Sequence, residues 1–338
     1  MPIRWGVLGV AGIAVRTVIP AIQSARGAEL VAIASRTAAR AAEAAERLRV
    51  RPHASYEALL ADSEVDAVYI PLPNALHREW TVRSAEAGKH VLCEKPLALT
   101  ALEAREMIAA CRAHGVRLME AFMYRFHPRT ARVAEMAASG ALGELRLVRA
   151  AFTFPVREPQ TNIRFRPELG GGALYDVGCY GINVSRMLLG QPAEVFAWGE
   201  IGRAGVDEAA VALLRFDTHR TAVVDCGLRI VRREEVEIVG TDGRLFVSKA
   251  FLPGTAEAEF QHFHGAEQVR IAVPGANQTQ RMVEAFVDAV RTGAPVPYPP
   301  EDAVLNLAVI EALLRSLRSG RPEPVTHQGR GGTGGSGV

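Results

Sequence analysis

Cysteine is scarce in this chain, neither sign of charge is in marked excess, and no long apolar run occurs. The four cysteines among 338 residues, Cys93, Cys111, Cys179 and Cys226, stand in neither CxxC nor Cys/His spacing. That argues against a disulfide framework and a thiolate metal site and leaves buried, reduced thiols as the expectation. His77 and His114 also lack partners at ligand spacing, so no metal is expected. A formal net charge of +2, with no run of like charges, points to neither nucleic acid nor a membrane surface as a partner. No apolar stretch reaches the about 20 residues that a membrane helix needs. The opening "MPIRWGVLGV" goes straight into a strand-like pattern without a separate h-region and cleavage site, which makes a cytoplasmic location the expectation. The closing "HQGRGGTGGSGV" has almost nothing to bury, so residues 326–338 are expected to form a flexible tail.

What is present is a rhythm. From residue 3 to about 120, short apolar strands ("IRWGVLGV", "AELVAIAS", "DAVYIPLP", "HVLC", "VRLME") alternate with amphipathic helical stretches. Pro20 should bend or break the first helix. Thr100 and Glu103 stand at capping-box spacing before another. Alternation of this kind implies a parallel sheet covered on both faces, a doubly wound Rossmann domain over residues 1–122. After Phe126 the rhythm changes. A helix at about 127–138, a long strand in "GELRLVRAAFTF" and a helix in "ALYDVGCYGINVSRMLLG" lead into a region, 193–273, of short strands and turns. Two helices, about 276–292 and 302–318, finish an α+β domain over residues 123–325. Its large, open, mostly antiparallel sheet would carry helices on one face, and the last helices could pack back on the first domain.

Chemistry collects at the strand ends. "GVLGVAGIA" follows a strand and opens a helix, with Gly9, Ala11 and Ala14 on the G-x-G-x-x-[GA] positions and Gly12 one residue late. A helix N-terminus there offers free N–H groups to a pyrophosphate. The second strand ends in Ser35 and Arg36 where an NAD site places a carboxylate. A guanidinium can hold a 2′-phosphate, so NADP(H) is expected in preference to NAD(H). "YIPLPNALH" fits a rigid lip over the crevice, with Pro71, Leu72, Asn74 and His77 as candidates. In "HVLCEKPLAL", Glu94 and Lys95 leave the fourth strand at the edge where a nicotinamide would lie. Asp176 and Tyr180, four apart after three glycines, share one helix face, and Asn183 is placed on that face too.

"GVLGVAGIA", "YIPLPNALH", "HVLCEKPLA" and "GGGALYDVGCYGIN", in this order through residues 3–318, resemble the glucose–fructose oxidoreductase / inositol dehydrogenase / MocA (Gfo/Idh/MocA) family. The resemblance implies that Lys95 is catalytic and that the Lys95–Pro96 bond is cis. Tyr180, where many members have His, is similar to the branch of dimeric dihydrodiol dehydrogenases and NADP-dependent D-xylose dehydrogenases, in which the Tyr, helped by the Lys, is the acid/base. "RFRPELGGG" departs from that branch at Arg166, where Asp is expected. The candidates are therefore Lys95, Tyr180 and Asp176 for catalysis. Gly9, Ala11, Gly12, Ile13, Ser35, Arg36, Pro71, Leu72, Asn74, His77, Glu94 and Lys95 are the cofactor candidates. Tyr124, Arg125, Arg164, Asp176 and Tyr180 are the substrate-pocket candidates. Lys95 would also draw the Tyr180 phenol down toward the working pH. The expected reaction is hydride transfer between NADP(H) and a secondary alcohol or ketone of a sugar, cyclitol or dihydrodiol. An NAD-retaining glycosidase, a C=N or biliverdin-type reductase and a non-catalytic NADP-binding regulator stand as alternatives. The resemblance also implies a homodimer or homotetramer through the second sheet, for which the alternating positions of "ELRLVRAAFTF" and "EEVEIVG" are the candidate face.

Overall fold

A computed structural model describes residues 1–326; the Gly-rich stretch expected to be flexible lies, beyond Thr326, outside the described residues. Two sheets organise the chain. The first has six strands, β1 (Ile3–Leu8), β2 (Ala28–Ala34), β3 (Arg51–His53), β4 (Ala67–Ile70), β5 (His90–Cys93) and β6 (Leu118–Glu120). Their order is β3-β2-β1-β4-β5-β6, and every pair is parallel. This is the doubly wound order, whose switch point lies between β1 and β4. The apolar runs Ala-Val-Tyr-Ile of β4 and Val-Leu-Cys closing β5 follow from burial on both faces.

Helices α1 (Ile19–Ser24), α2 (Ala38–Leu48), α3 (Tyr56–Leu60), α4 (His77–Glu86) and α5 (Ala101–Ala113) connect these strands. Pro20 sits at the start of α1, where its missing N–H costs nothing, and a π-helical turn, Ala14–Val18, precedes it. Thr100 caps α5 by accepting the Glu103 N–H at 3.1 Å, and Glu103 reaches back to the Leu99 N–H at 2.9 Å, one residue earlier than in the usual capping box. The sequence rhythm missed β3 and α3. β3 is a three-residue edge strand, Arg-Pro-His, with no buried residue to give an apolar signal.

The second sheet has nine strands, in the order β14-β13-β12-β11-β7-β10-β9-β8-β15. They are β7 (Leu145–Thr153), β8 (Glu194–Ile201), β9 (Asp207–Arg215), β10 (Thr221–Gly227), β11 (Arg233–Gly240), β12 (Arg244–Ser248), β13 (Ala258–His264), β14 (Glu267–Val273) and β15 (Glu323–Pro324). Only β7 and β10 pair in parallel; the other pairs are antiparallel. Helices α6 (Pro128–Ala138) and α7 (Cys179–Leu189) accompany this sheet, and a second π-helical turn, Leu174–Gly178, leads into α7.

The last two helices, α8 (Gln278–Thr292) and α9 (Glu301–Ser319), return to the first sheet. Phe286 of α8 meets Trp5 of β1 with ring centroids 5.4 Å apart, and Glu311 of α9 accepts the Ala101 N–H at 2.8 Å. These contacts bring the C-terminal edge of the parallel sheet against the start of the second domain, and a cleft of about 560 Å³ opens there.

Candidate active site

The glycine turn forms one end of the cleft. Gly9 has φ +125°, a conformation that L side chains rarely adopt, and a Cβ there would come within 3.1 Å of Leu72 Cδ2. Ala11, Gly12 and Ile13 line the cleft beside it. The helical backbone starts at Gly12 and its first hydrogen bond runs from the Val15 N–H to the Ala11 carbonyl at 3.1 Å, and the N–H groups ahead of a helix's first bond have no intrahelical partner. The turn therefore has the shape and donors that fit a pyrophosphate.

Ser35 is buried at the end of β2 and Arg36 is exposed beyond it; neither lines the main cleft. Arg36 has company that the sequence reading missed. Burial raises the pKa of the Tyr56 hydroxyl, and the charges of both Arg36 and Arg40 pull it back. Tyr56 Oη in turn lies 3.7 Å from where a Gly9 Cβ would be. The charges of Arg36 and Arg40 are thus both felt at Tyr56, beside the Gly9 turn. The available signal was the spacing of four that puts Arg40 in the first turn of α2.

Lys95 leaves the end of β5 through a cis Lys95–Pro96 bond. Its Nζ donates to the main-chain oxygen of Asp176 at 2.6 Å and lies 3.5 Å from Asp176 Oδ1. The same Nζ is 4.9 Å from the centroid of the Tyr180 ring. Asp176 Oδ2 accepts from Arg164 Nε at 2.6 Å, so the carboxylate sits between two cations. Burial pushes its pKa up, but Lys95 and Arg164 outweigh that and hold it below the ordinary carboxylate value. Burial likewise works against charge on Lys95, and Asp176 with Cys179 and Glu94 raises its pKa in spite of it. Glu94 accepts from the buried Tyr69 hydroxyl at 2.6 Å, and burial raises its pKa. Arg164, Glu94, Lys95, Asp176 and Tyr180 all line the cleft.

The Tyr180 phenol differs from the sequence expectation. Its pKa is raised well above 10, first by burial and then by Cys179, Glu94 and Asp176. Its hydroxyl faces Met123 Sδ at 3.5 Å, while Lys95 lies over the ring face. Desolvation of the phenolate dominates, and burial keeps the Tyr180 hydroxyl protonated.

Several candidates lie behind the cleft. Tyr124 is buried, donates to Asn183 Oδ1 at 2.6 Å and packs against Tyr180 at a centroid distance of 5.9 Å. Asn183, expected on the face shared by Asp176 and Tyr180, is buried and bonds Asp302 at 2.9 Å. Arg125 also bonds Asp302, at 2.9 Å, and stacks on Tyr298 at 4.1 Å. These three side chains form a polar layer under Tyr180 and do not line the cleft. Asn74 does line it, but its amide donates to the Gly170 carbonyl at 2.8 Å and ties the lip to the three-glycine loop. Pro71 and Leu72 form the lip itself. His77 is fully buried behind that lip. Arg166 pairs with Glu168 at the surface.

The three-glycine loop delivers Asp176 and Tyr180. Gly172 has φ +121°, and a Cβ there would collide with the Asp207 carboxylate. Asp207 accepts the Leu174 N–H at 2.6 Å and so caps the helical stretch that carries Asp176 and Tyr180 from outside it. The π-helical turn that follows holds Asp176, whose main-chain oxygen receives Lys95. Such turns often mark functional sites, and the two π turns among the described residues both border the cleft. The far wall was not anticipated: Phe152, Phe154, Arg232, Leu252 and Met282 line it. Phe152 and Phe154 carried a faint signal, two residues apart at a strand end. Met282, on α8, carried none.

With this geometry established, comparison with known proteins is informative. Residues 3–122 match the family described as an oxidoreductase family with an NAD-binding Rossmann fold, and residues 130–246 match its C-terminal domain. The chain belongs to the Gfo/Idh/MocA oxidoreductase family. It is 42% identical over 319 residues to D-xylose 1-dehydrogenase (NADP(+)) 2 of Haloferax volcanii, covering 94% of this chain and 98% of that protein. It is 37% identical over 256 residues to trans-1,2-dihydrobenzene-1,2-diol dehydrogenase of Danio rerio, covering 73% of this chain and 75% of that one. Among solved structures it resembles KijD10, a 3-ketoreductase from Actinomadura kijaniata in complex with NADP and TDP-benzene. The TM-score is 0.90 at 36% identity, over 94% of this chain and 98% of KijD10. Among the described residues, no helix is long and apolar enough to cross a membrane, and no cluster of metal-ligating side chains occurs.

Proposed function

We propose that this Gfo/Idh/MocA protein is an NADP(H)-dependent oxidoreductase that interconverts a ketone and a secondary alcohol on a sugar, cyclitol or dihydrodiol. The observation that carries this reading is the meeting of Lys95 with Asp176 and Tyr180, 81 and 85 residues away in sequence, in one cleft beside the glycine turn. NADP(H) would be held by Ala11, Gly12 and Ile13 at its pyrophosphate, by Arg36 and Arg40 at its 2′-phosphate, and by Leu72 and Glu94 toward its nicotinamide. Absence of a carboxylate at the end of β2 supports NADP over NAD, as do the NADP-dependent relative and the NADP complex of KijD10.

When bound, the cofactor supplies or accepts the hydride at the reacting carbon. The protein's part is to place and polarise the oxygen. Tyr180, kept protonated by burial, gives its proton to the substrate oxygen during reduction and regains one afterwards. Lys95, whose charge Asp176 secures, stabilises the oxygen as negative charge develops on it. Asp176 and Arg164 accept and donate to neighbouring substrate hydroxyls.

A second copy of the chain is the proposed partner. The alternating apolar positions of β7 and β11 point inward: Val148, Val236 and Ile238 are buried, and the other face of β11 carries Arg233, Glu235 and Glu237. The exposed apolar patch is on β8 and β9 instead. Trp198 pairs with Val211 and Phe196 with Leu213 on the open face, where Trp198 is 74%, Val211 53% and Leu213 47% exposed. A contiguous patch of this kind marks an interaction surface.

The test is a fluorescence titration of the purified protein with NADPH and NADH, followed by a panel of sugars, polyols and dihydrodiols read at the reduced-nicotinamide absorbance. Tighter binding of NADPH and turnover of one substrate class are expected. Binding of neither cofactor would overturn the reading.

A further inference from the structure

The first turn carries its second glycine one residue late, at Gly12, with Ala11 in the middle position of the fingerprint. Gly12 has helical backbone with no positive φ, so its conformation does not require a glycine. Its surroundings give another reason. A Cβ on Gly12 would lie 2.7 Å from Arg16 Nη2, 2.8 Å from Nη1 and 3.0 Å from Cζ. Residues four apart share a helix face, and helical side chains lean toward the N-terminus. The Arg16 side chain therefore folds back over the turn, and the missing Cβ gives its guanidinium room. The other cations lining the cleft are Lys95, Arg164 and Arg232. Each lies against a carboxylate, Asp176 for the first two and Glu234 for the third. Arg16 also lines the cleft and is exposed, and among the described residues its guanidinium makes no ion pair or hydrogen bond.

We propose that Arg16 is a cofactor-binding residue whose guanidinium, seated on Gly12, pairs with the pyrophosphate of the dinucleotide. The inference rests on the cofactor reading above and deepens it. Both phosphates of a pyrophosphate bridge are negatively charged, whereas the N–H groups of the turn are neutral donors. A guanidinium adds charge-assisted hydrogen bonds in a planar fork that matches phosphate oxygens. Positive charge in the first turn of a helix is opposed by the helix dipole, and an anion held there offsets the opposition. The role differs from that of Arg36 and Arg40. Those two act on the 2′-phosphate, which only NADP(H) has. The pyrophosphate is common to both cofactors, so Arg16 contributes affinity without discriminating between them.

Binding of NADPH, NADH and adenosine 2′-monophosphate to the full chain tests this. The third ligand has the 2′-phosphate and no pyrophosphate. Arg16→Ala should weaken NADPH and NADH about ten-fold each and leave adenosine 2′-monophosphate, read by displacement of NADPH fluorescence, unchanged. Weakening of NADPH alone would move Arg16 to the 2′-phosphate and overturn the proposal, as would unchanged affinity for both cofactors. Loss of all three ligands with a lowered melting temperature would show a structural role and also overturn it. Arg16→Lys keeps the charge and should recover part of the loss; no recovery would overturn a role based on charge. Gly12→Ala tests the seat. The three atoms nearest to the added carbon all belong to the end of the Arg16 side chain, so the fold should tolerate it. It should weaken both cofactors when Arg16 is present and cost about two-fold or less when combined with Arg16→Ala. An equal cost in both backgrounds would overturn the seating of Arg16 on Gly12. A wild-type protein that binds neither cofactor removes this proposal along with the proposed function. A wild-type protein that binds, with an Arg16→Ala variant that binds equally well, removes the role of Arg16 alone.

Discussion

The Lys95 ammonium lies 4.9 Å over the ring of Tyr180, while its hydrogen bond goes to the main chain of Asp176 at 2.6 Å. The lysine is therefore aimed by the π-helical turn that leads into α7, and the tyrosine is screened from water by its own burial. This arrangement suits an acid that must keep its proton until a substrate oxygen arrives.

Removing either group should separate binding from chemistry. Lys95→Ala and Tyr180→Phe are each expected to lower kcat by ~10²-fold or more, with NADPH affinity changed only a few-fold. Stopped-flow reduction and a cofactor titration check this. Because burial raises the phenol's pKa well above 10, the rate of reduction in the wild type should not fall between about pH 7 and about pH 9 through loss of the Tyr180 proton. A descending limb in that window that disappears in Tyr180→Phe would show the opposite.

The 2′-phosphate prediction is a difference between two cofactors. Arg36→Ala combined with Arg40→Ala should weaken NADPH binding by ~10²-fold, since each charge-assisted contact contributes roughly 1.5 kcal/mol. NADH affinity should stay the same. Equal loss for both cofactors would place the two arginines elsewhere in function.

Glu120 gives a pH-dependent stability test. It is 1% exposed, its Oε2 has no partner, and burial pushes its pKa up to about 8 from an ordinary 4.5. The folded state then holds a proton that the unfolded chain releases between those values, so this group lowers stability progressively as pH rises from about 4.5 to about 8. Glu120→Gln keeps an acceptor for the Leu97 N–H and removes the titration. It should raise the melting temperature at alkaline pH relative to wild type and leave it nearly unchanged near pH 4, as differential scanning calorimetry across pH would show.

Assembly is tested on the open sheet face. Trp198→Glu with Val211→Glu should convert a dimer to a monomer in light scattering, because both carboxylates would be buried in the interface without partners. These side chains face away from the protein's own core, so the monomer should remain folded by circular dichroism.

Local pattern carried much of this protein. The βα rhythm of residues 3–120 was legible because strands buried on both faces must be apolar throughout, and helices covering them must be amphipathic. The glycine turn, Ser35–Arg36 and the Glu94–Lys95–Pro96 element stood out because strand ends are sharp in sequence. The three-glycine loop before Asp176 stood out for the same reason, and Gly172 shows the cause: a side chain there would strike Asp207.

Tertiary packing decided the rest. No local pattern tells whether His77 at a helix start, or Tyr124 and Arg125 in a short turn, faces a cleft or a neighbour. All three turn away, toward the Pro96 carbonyl, Asn183 and Asp302 respectively. Pairing Tyr180 with a lysine suggested a lowered pKa, but burial raises it, and burial is a sum over elements distant in sequence. The wall formed by Phe152, Leu252 and Met282 joins three segments more than 25 residues apart, and the open-face patch joins Trp198 and Val211 across two strands. Periodicity is set over a few residues by the geometry of one helix or strand. Which faces meet is set by how those elements pack, and the chemistry of the site arises where they meet.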